Sequence, residues 1–186
     1  PVVIVGHDAR FLGREFSLAV AEVLTANGLT PLLCDRPTPT PVIAYTIRKR
    51  RAIGGINMTA SHNPPEYQGL KFSMHNGAGA PPEVTKQIEA NIAKLQQKKW
   101  TFKAAVIGTF QCKTIDPQPD YFKQIKKLID FNAIKRAKMK IAVNLMYGAG
   151  RGYLDTLLAE AGVKLTRFND ETNPLFGGHH PEPNAE

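Results

Sequence analysis

Residues 54–74 read GGINMTASHNPPEYQGLKFSM, and this stretch holds two predicted strands on either side of a proline-containing turn. The apolar run 54–59 is typical of a buried strand, and residues 69–74 have the pattern of a further strand. A serine at the end of a buried strand, such as Ser61, lies at the crevice where open α/β sheets bind ligands. The residues alone leave two interpretations open: a surface turn begun by Asn-Pro, or a loop that holds Ser61 for chemistry.

The turn is stiff, and its neighbours carry groups suited to phosphate chemistry. The two prolines fix the backbone φ, and Pro64 favours an extended conformation of Asn63. His62 could exchange a proton or donate to a phosphate, although an isolated loop histidine more often has no such role. Lys71 could pair with a phosphate beside Ser61, although a solvated lysine is the simpler interpretation. No glycine flanks Ser61 and no triad spacing is present, so a serine hydrolase is not indicated.

Around this stretch, strands and helices alternate along the chain. The predicted strands are residues 2–5, 30–34, 54–59 and 69–74, and the predicted helices are residues 14–27, 41–51 and 82–97. Such alternation predicts an α/β fold, here a three-layer α/β/α domain with a mixed sheet.

The pattern becomes irregular over residues 100–118 and then restarts. A helix is predicted over residues 120–130, a basic linker over 134–140, and a strand, helix and strand over 141–145, 153–161 and 163–168. We therefore expect a first domain at residues 1–135 and the incomplete start of a second, similar domain at 136–186. The glycine-rich turn GAGRG at 148–152 is compatible with phosphate binding and equally with tight packing of a strand against a helix.

Composition narrows the class of protein. The 186 residues are 42% hydrophobic and 22% charged, as in soluble globular proteins, and no apolar run is long enough to span a bilayer. Cys34 and Cys112 have neither metal-ligand nor redox spacing, which favours free thiols in a reducing compartment and hence a cytoplasmic location. The chain begins without Met and ends in the loop-like HHPEPNAE, so we expect a fragment of a longer protein.

The formal charge of +8 and the isoelectric point of about 9.6 favour anionic partners without naming them. The basic runs lie mostly at predicted helix ends and in linkers, where cations interact well with the helix dipole. Aromatic residues are not interleaved with these runs as a nucleic-acid stacking surface would need. We therefore expect no nucleic-acid partner and no membrane partner, and the oligomeric state stays open.

The stretch TASHNPPEYQGLK resembles the phosphoserine loop of the α-D-phosphohexomutases, the phosphoglucomutase and phosphomannomutase superfamily. The matching positions are Thr59, Ser61, His62, Asn63, Pro64, Gly69 and Lys71. Gln68 departs from the family's usual Asn. Further segments resemble the family in the same order along nearly the whole chain: VGHDAR with Asp8 and Arg10, then PTPTP, then NPLFGGHHPEPN.

The resemblance implies a four-domain enzyme of which this chain would hold the first domain and the start of the second. It implies an interconversion of hexose 1-phosphate and hexose 6-phosphate through a phosphoserine and a hexose 1,6-bisphosphate, which would also serve as activator. Ser61 would carry the phosphate. That phosphate would supply one ligand of a Mg²⁺ ion whose other ligands would lie beyond residue 186.

The resemblance also assigns roles to individual residues. Ser61, His62 and Lys71 would be catalytic, and Asp8, Arg10 and Asn63 would support the site. The 186 residues alone would be inactive. Two alternatives stay open: a phosphoglucosamine mutase, and a non-catalytic basic module that binds nucleic acid or another partner.

Overall fold

The computed structural model describes residues 1–99, 101 and 110–183. The first part of the chain forms a sheet with its helices, in the order β1 (Val2–His7), α1 (Gly13–Ala26), β2 (Thr30–Cys34), α2 (Thr40–Arg50), β3 (Gly54–Met58), β4 (Leu70–Met74), α3 (Pro82–Gln97) and β5 (Lys113–Ile115). The second part continues with α4 (Gln118–Leu128), α5 (Phe131–Arg136), β6 (Lys140–Asn144), α6 (Leu154–Glu160), β7 (Lys164–Phe168) and a 3₁₀ turn (Phe176–Gly178).

The larger sheet has five strands in the order β4-β3-β1-β2-β5. β1 pairs in parallel with both β2 and β3, β2 pairs in parallel with β5, and β4 runs antiparallel to β3. The sheet is therefore mixed, as predicted. Because β3 and β4 form an antiparallel pair, the loop between them leaves and re-enters the sheet at the same end of the strands.

Successive side chains of β1 point to opposite faces of the sheet and bury two separate apolar clusters. Ile4 packs in a cluster with Ile43 and Ile47 of α2. Val3 and Val5 belong to the other cluster, which α1 covers with Leu18, Val20 and Leu24. α1 and α2 thus lie on opposite faces, which confirms the predicted three-layer α/β/α arrangement.

The second part of the chain contains a βαβ unit that packs against the first part. Residues 140–183, which begin with β6, are called the second unit from here on. β6 and β7 pair in parallel, and α6 connects them. Phe122 of α4 lies in one buried cluster with Val42 of α2 and with Tyr153 and Leu157 of the second unit. α4 therefore joins the two parts of the chain through apolar contacts.

Two sequence predictions differ from the structure. β5 lies in the region predicted to be irregular, because a three-residue strand is too short to show a periodicity and depends on its pairing with β2. The predicted linker 134–140 is partly helical, since α5 extends to Arg136, and Lys140 already begins β6. The side chain of Asp130 caps α5 by accepting a hydrogen bond from the Ala133 N–H at 3.0 Å.

Within the ranges that the structure describes, no helix is both long and apolar enough to cross a membrane.

Candidate active site

Ser61 follows directly on the buried residues at the carboxyl end of β3. Its backbone adopts a left-handed conformation with φ of +60°, which costs a residue other than glycine about 1 kcal/mol. The Thr59 hydroxyl accepts a hydrogen bond from the Ser61 N–H at 3.0 Å and closes a tight turn. The Ser61 side chain is exposed, with its Oγ 3.4 Å from Nδ1 of His62. The turn thus presents the hydroxyl to solvent beside an imidazole.

A single buried arginine holds this loop in place. The Arg10 side chain is 1% exposed, and its two terminal nitrogens donate to four backbone carbonyls of the loop. Nη1 reaches the carbonyls of Pro64 and Tyr67 at 2.7 and 3.1 Å. Nη2 reaches those of Ser61 and Asn63 at 3.1 and 2.6 Å. None of these carbonyls has a strand partner, and only that of Pro64 also accepts a backbone hydrogen bond, from the Tyr67 N–H at 3.1 Å. Arg10 therefore satisfies the carbonyls of Ser61, Asn63 and Tyr67, which would otherwise need water.

Asp8 fixes Arg10 from the other side. Its Oδ1 accepts a hydrogen bond from the backbone N–H of Arg10 at 3.0 Å, and its Oδ2 forms an ion pair with the Arg10 Nε at 3.3 Å. The carboxylate therefore offsets the buried guanidinium charge, which would be costly if left unpaired. Asp8 is partly exposed and also lines the cleft in front of Ser61.

Lys71 reaches the site because β3 and β4 form an antiparallel pair in which Lys71 lies opposite Asn57. The Thr59 N–H donates to the Gly69 carbonyl at 2.9 Å and extends this pairing toward the serine loop. A Cβ atom at position 69 would lie 2.9 Å from the Thr59 carbonyl oxygen, so the close approach requires glycine.

Gln68, which departs from the family motif, makes two hydrogen bonds through its side-chain amide. Its Nε2 donates to the Phe11 carbonyl at 3.2 Å, and its Oε1 accepts from the Gly69 N–H at 3.1 Å. The amide thus connects the end of the serine loop to the turn before α1. The longer arm is accommodated without removing Gly69 or Lys71 from the hairpin.

Four of the six predicted site residues line one cleft of about 290 Å³: Asp8, Ser61, His62 and Lys71. Arg10 is buried behind the serine loop. The Asn63 side chain turns back to the Ala60 carbonyl at 2.9 Å, so it shapes the loop and is absent from the residues that line the cleft.

Part of this cleft could not be predicted from the sequence. Its additional lining residues come from the start of α2 and from the second unit, with two more beside the predicted positions: Ala9, Thr40, Thr59, Met146, Gly148, Ala149, Phe176 and Pro181. The glycine-rich turn was a usable signal for Gly148 and Ala149. Thr40 and Phe176 lie in the PTPTP and NPLFGGHHPEPN segments that resemble the family, but the sequence gave them no site role, because only tertiary packing brings them to the serine loop.

The site therefore belongs to an open α/β sheet. Ser61 and His62 lie at the carboxyl end of the parallel strand β3, and the Lys71 ammonium group comes to the same place from the start of the antiparallel strand β4. Open α/β sheets bind their ligands in such a crevice, and an ammonium group there can pair with an anionic ligand. Comparison with known proteins then identifies the family. The model of the phosphoglucomutase/phosphomannomutase α/β/α domain I matches residues 1–99, and that of domain II matches residues 119–186.

Individual relatives agree with the family models. A phosphoglucomutase/phosphomannomutase of Thermococcus kodakarensis is 33% identical over 190 residues, which cover 100% of this chain and 40% of the relative. Phosphoglucomutase-1 of Oryctolagus cuniculus is 29% identical, with 98% of this chain and 37% of the relative covered. A crystal structure from Thermus thermophilus, assigned as a phosphomannomutase, superposes with a TM-score of 0.86 at 34% identity, covering 98% of this chain and 40% of that one.

The chain belongs to the phosphoglucomutase/phosphomannomutase family. It spans about two fifths of the length of the relatives named above. The domain II model begins at residue 119, before the boundary predicted between residues 135 and 136, and that boundary stays a prediction.

Proposed function

We propose that this chain is the phosphoserine-bearing part of a phosphohexomutase, an isomerase that interconverts hexose 1-phosphate and hexose 6-phosphate. One observation carries the proposal: Ser61 lies in a strained turn at the sheet edge, in the same cleft as His62 and Lys71. Backbone strain at an exposed nucleophile is a feature of functional sites, where the surrounding structure holds the residue in place. Here Arg10 provides that support.

The proposed reaction transfers one phosphoryl group in each half. A sugar hydroxyl oxygen attacks the phosphorus of phosphorylated Ser61, the bond between phosphorus and Oγ breaks, and a hexose 1,6-bisphosphate forms. The proton of the sugar hydroxyl ends on Ser61 Oγ. In the second half Ser61 Oγ attacks the other phosphate of the bisphosphate, its proton passes to the departing sugar oxygen, and the phosphoserine is restored.

His62 and Lys71 are the groups that we assign to charge and proton handling. Phosphoserine carries close to two negative charges at neutral pH, so an ammonium in the same cleft would stabilise the transferring group. His62 Nδ1, at 3.4 Å from Oγ, is near enough to exchange a proton with it once the contact tightens. We assign Asp8, Arg10 and Asn63 to support, since they order the loop.

We propose that the full-length protein binds Mg²⁺ and that this chain contributes to the site through the phosphate on Ser61. Among the residues that the structure describes, no three His, Cys, Asp or Glu side chains come together as a metal site. These residues therefore do not form a Mg²⁺ site by themselves, and we expect the remaining ligands beyond residue 186. For the same reason we propose that residues 1–186 alone do not turn over hexose phosphates.

The two free cysteines support a cytoplasmic location.

The test is phosphate on Ser61 in the full-length protein. Peptide mass spectrometry should find one phosphoryl group on the peptide that contains Ser61, and Ser61→Ala should remove both this group and mutase activity. Thr85→Ala is the matched control, because it deletes an exposed hydroxyl on α3, away from the cleft, and should leave both unchanged.

Full mutase activity in Ser61→Ala with hexose 1,6-bisphosphate added would contradict the donor role. The same assay, with glucose, mannose and glucosamine 1-phosphates as substrates, measures the sugar preference. A preference for glucosamine 1-phosphate would make the protein a phosphoglucosamine mutase with the same serine chemistry.

A further inference from the structure

Phe176 of the second unit covers the face of the arginine that holds the serine loop. Its ring centroid lies 5.3 Å from Cζ of Arg10, which is the distance of a cation–π contact. Both groups are buried, since Phe176 is 6% exposed and the Arg10 side chain 1%. Phe176 also lines the cleft in front of Ser61.

The backbone around Phe176 fixes the place of its ring. Phe176 has a φ of +51°, which is strained for a bulky residue, and Gly177 follows with a φ of +67°. A Cβ at position 177 would lie 2.6 Å from the ring of Tyr147, so the turn is built closely against that tyrosine. A strained residue seated this tightly is held by its surroundings, and its ring is presented to Arg10.

We propose that Phe176 is a positioning residue for the Ser61 loop and acts through Arg10; its catalytic meaning rests on the proposed function. The edges of the guanidinium are occupied by the loop carbonyls and by Asp8, which leaves its flat faces for other contacts. The ring attracts the cation and excludes water from that face. In the resulting low-dielectric setting the hydrogen bonds to the loop are stronger, so the order of the loop depends on the second unit.

The experiment uses the full-length protein with Phe176 replaced by mono-, di- and trifluorinated phenylalanine. These side chains keep nearly the same shape while fluorine withdraws the electron density that attracts the cation. Hydrogen exchange of the peptide that covers residues 61–69 should accelerate stepwise, by roughly three- to thirtyfold between the ordinary and the trifluorinated ring. The turnover number should fall in the same order.

Phe168 is the matched control because its ring is 51% exposed at the end of β7. The same fluorination there should leave the exchange of residues 61–69 unchanged. A flat response to fluorination at position 176 would overturn the proposal, even if Phe176→Leu loosened the loop, because the ring would then act only as apolar filling. An equal response at position 168 would overturn it as well.

The test of Phe176 can fail or succeed independently of the proposed function. Hydrogen exchange is measured also in the Ser61→Ala background, where no phosphate can be carried. If Ser61 were never phosphorylated, the proposed function would fail, while the graded exchange would still decide whether Phe176 positions the loop.

Discussion

At the scale of single residues, Arg10 determines the conformation of the serine loop. The loop lacks a sheet partner for its carbonyls, and one guanidinium with donors spread over a plane reaches four of them. Asp8 orients that guanidinium and offsets its charge. A buried planar cation of this kind cannot be replaced by another positive charge of different shape.

We therefore expect Arg10→Lys to loosen the loop although the charge is retained. An ammonium is a compact point charge and can bind only part of the four carbonyls, so the free energy of unfolding should fall by about 2–3 kcal/mol. Urea denaturation measures this free energy, and limited proteolysis measures how readily the loop is cleaved. Arg14→Lys, at an exposed position of α1, should change neither measurement. Unchanged cleavage of the loop in Arg10→Lys would contradict the assignment.

At the scale of elements, α4 determines how the second unit meets the sheet. Phe122 is 7% exposed and packs edge-on against Tyr153 with ring centroids 6.0 Å apart. Nε2 of Gln118, at the start of the same helix, donates to the Gly152 carbonyl at 2.8 Å. These contacts anchor the glycine-rich turn whose Gly148 and Ala149 line the cleft.

Phe122→Ala should separate the second unit from the sheet more than it disturbs the sheet itself. Removing a buried phenylalanine costs about 3–5 kcal/mol through lost transfer energy and the cavity left behind. Hydrogen exchange should rise in α4, α6 and the turn 146–152, while β1 stays protected. Leu128→Ala removes a side chain of α4 that is 68% exposed and should cost less than about 0.5 kcal/mol. If β1 lost as much protection from hydrogen exchange as α6, the two parts of the chain would unfold together and the prediction would be wrong.

At the scale of the whole molecule, two buried acids make stability depend on pH in the alkaline range. Burial raises the pKa of the Cys34 thiol from 9.0 to about 12, and burial likewise raises the pKa of Tyr153 from 10.0 to about 12. Above the ordinary values the unfolded chain loses these protons while the folded chain keeps them. The folded state therefore binds more protons, and its stability must fall as the pH rises from about 9 toward 12.

We expect Cys34→Ala to flatten this decline. Each proton retained only in the folded state contributes about 1.4 kcal/mol per pH unit, and the variant removes one such group. Urea denaturation at pH 8, 9.5 and 11 gives the free energy of unfolding of the two proteins as a function of pH. The difference between them should shrink as the pH rises from 8 to 11. Parallel curves over the whole range would contradict the assigned burial of the thiol. Cys112→Ala is the comparison: burial raises the pKa of this less buried thiol as well, so the variant should flatten the decline less than Cys34→Ala does.

Much of the fold follows from local patterns in the sequence. The helix predicted over residues 82–97 and the strand over 30–34 agree with α3 and β2 to the residue, because periodicity and flanking proline or glycine are local signals. The serine loop is equally local: its prolines, the close approach at Gly69 and the register of Lys71 all lie within one hairpin. The amino-acid sequence alone is therefore sufficient to place these residues in one hairpin.

The tertiary structure decided what distant parts of the chain do together. β5 exists only through pairing with β2, and Phe176 reaches Arg10 only because α4 seats the second unit against α2. Arg10 could be assigned to the site from its motif, but its four bonds to loop carbonyls could not be read from the sequence. A hydrogen bond to a backbone carbonyl leaves no trace in residue type, since every residue carries the same carbonyl.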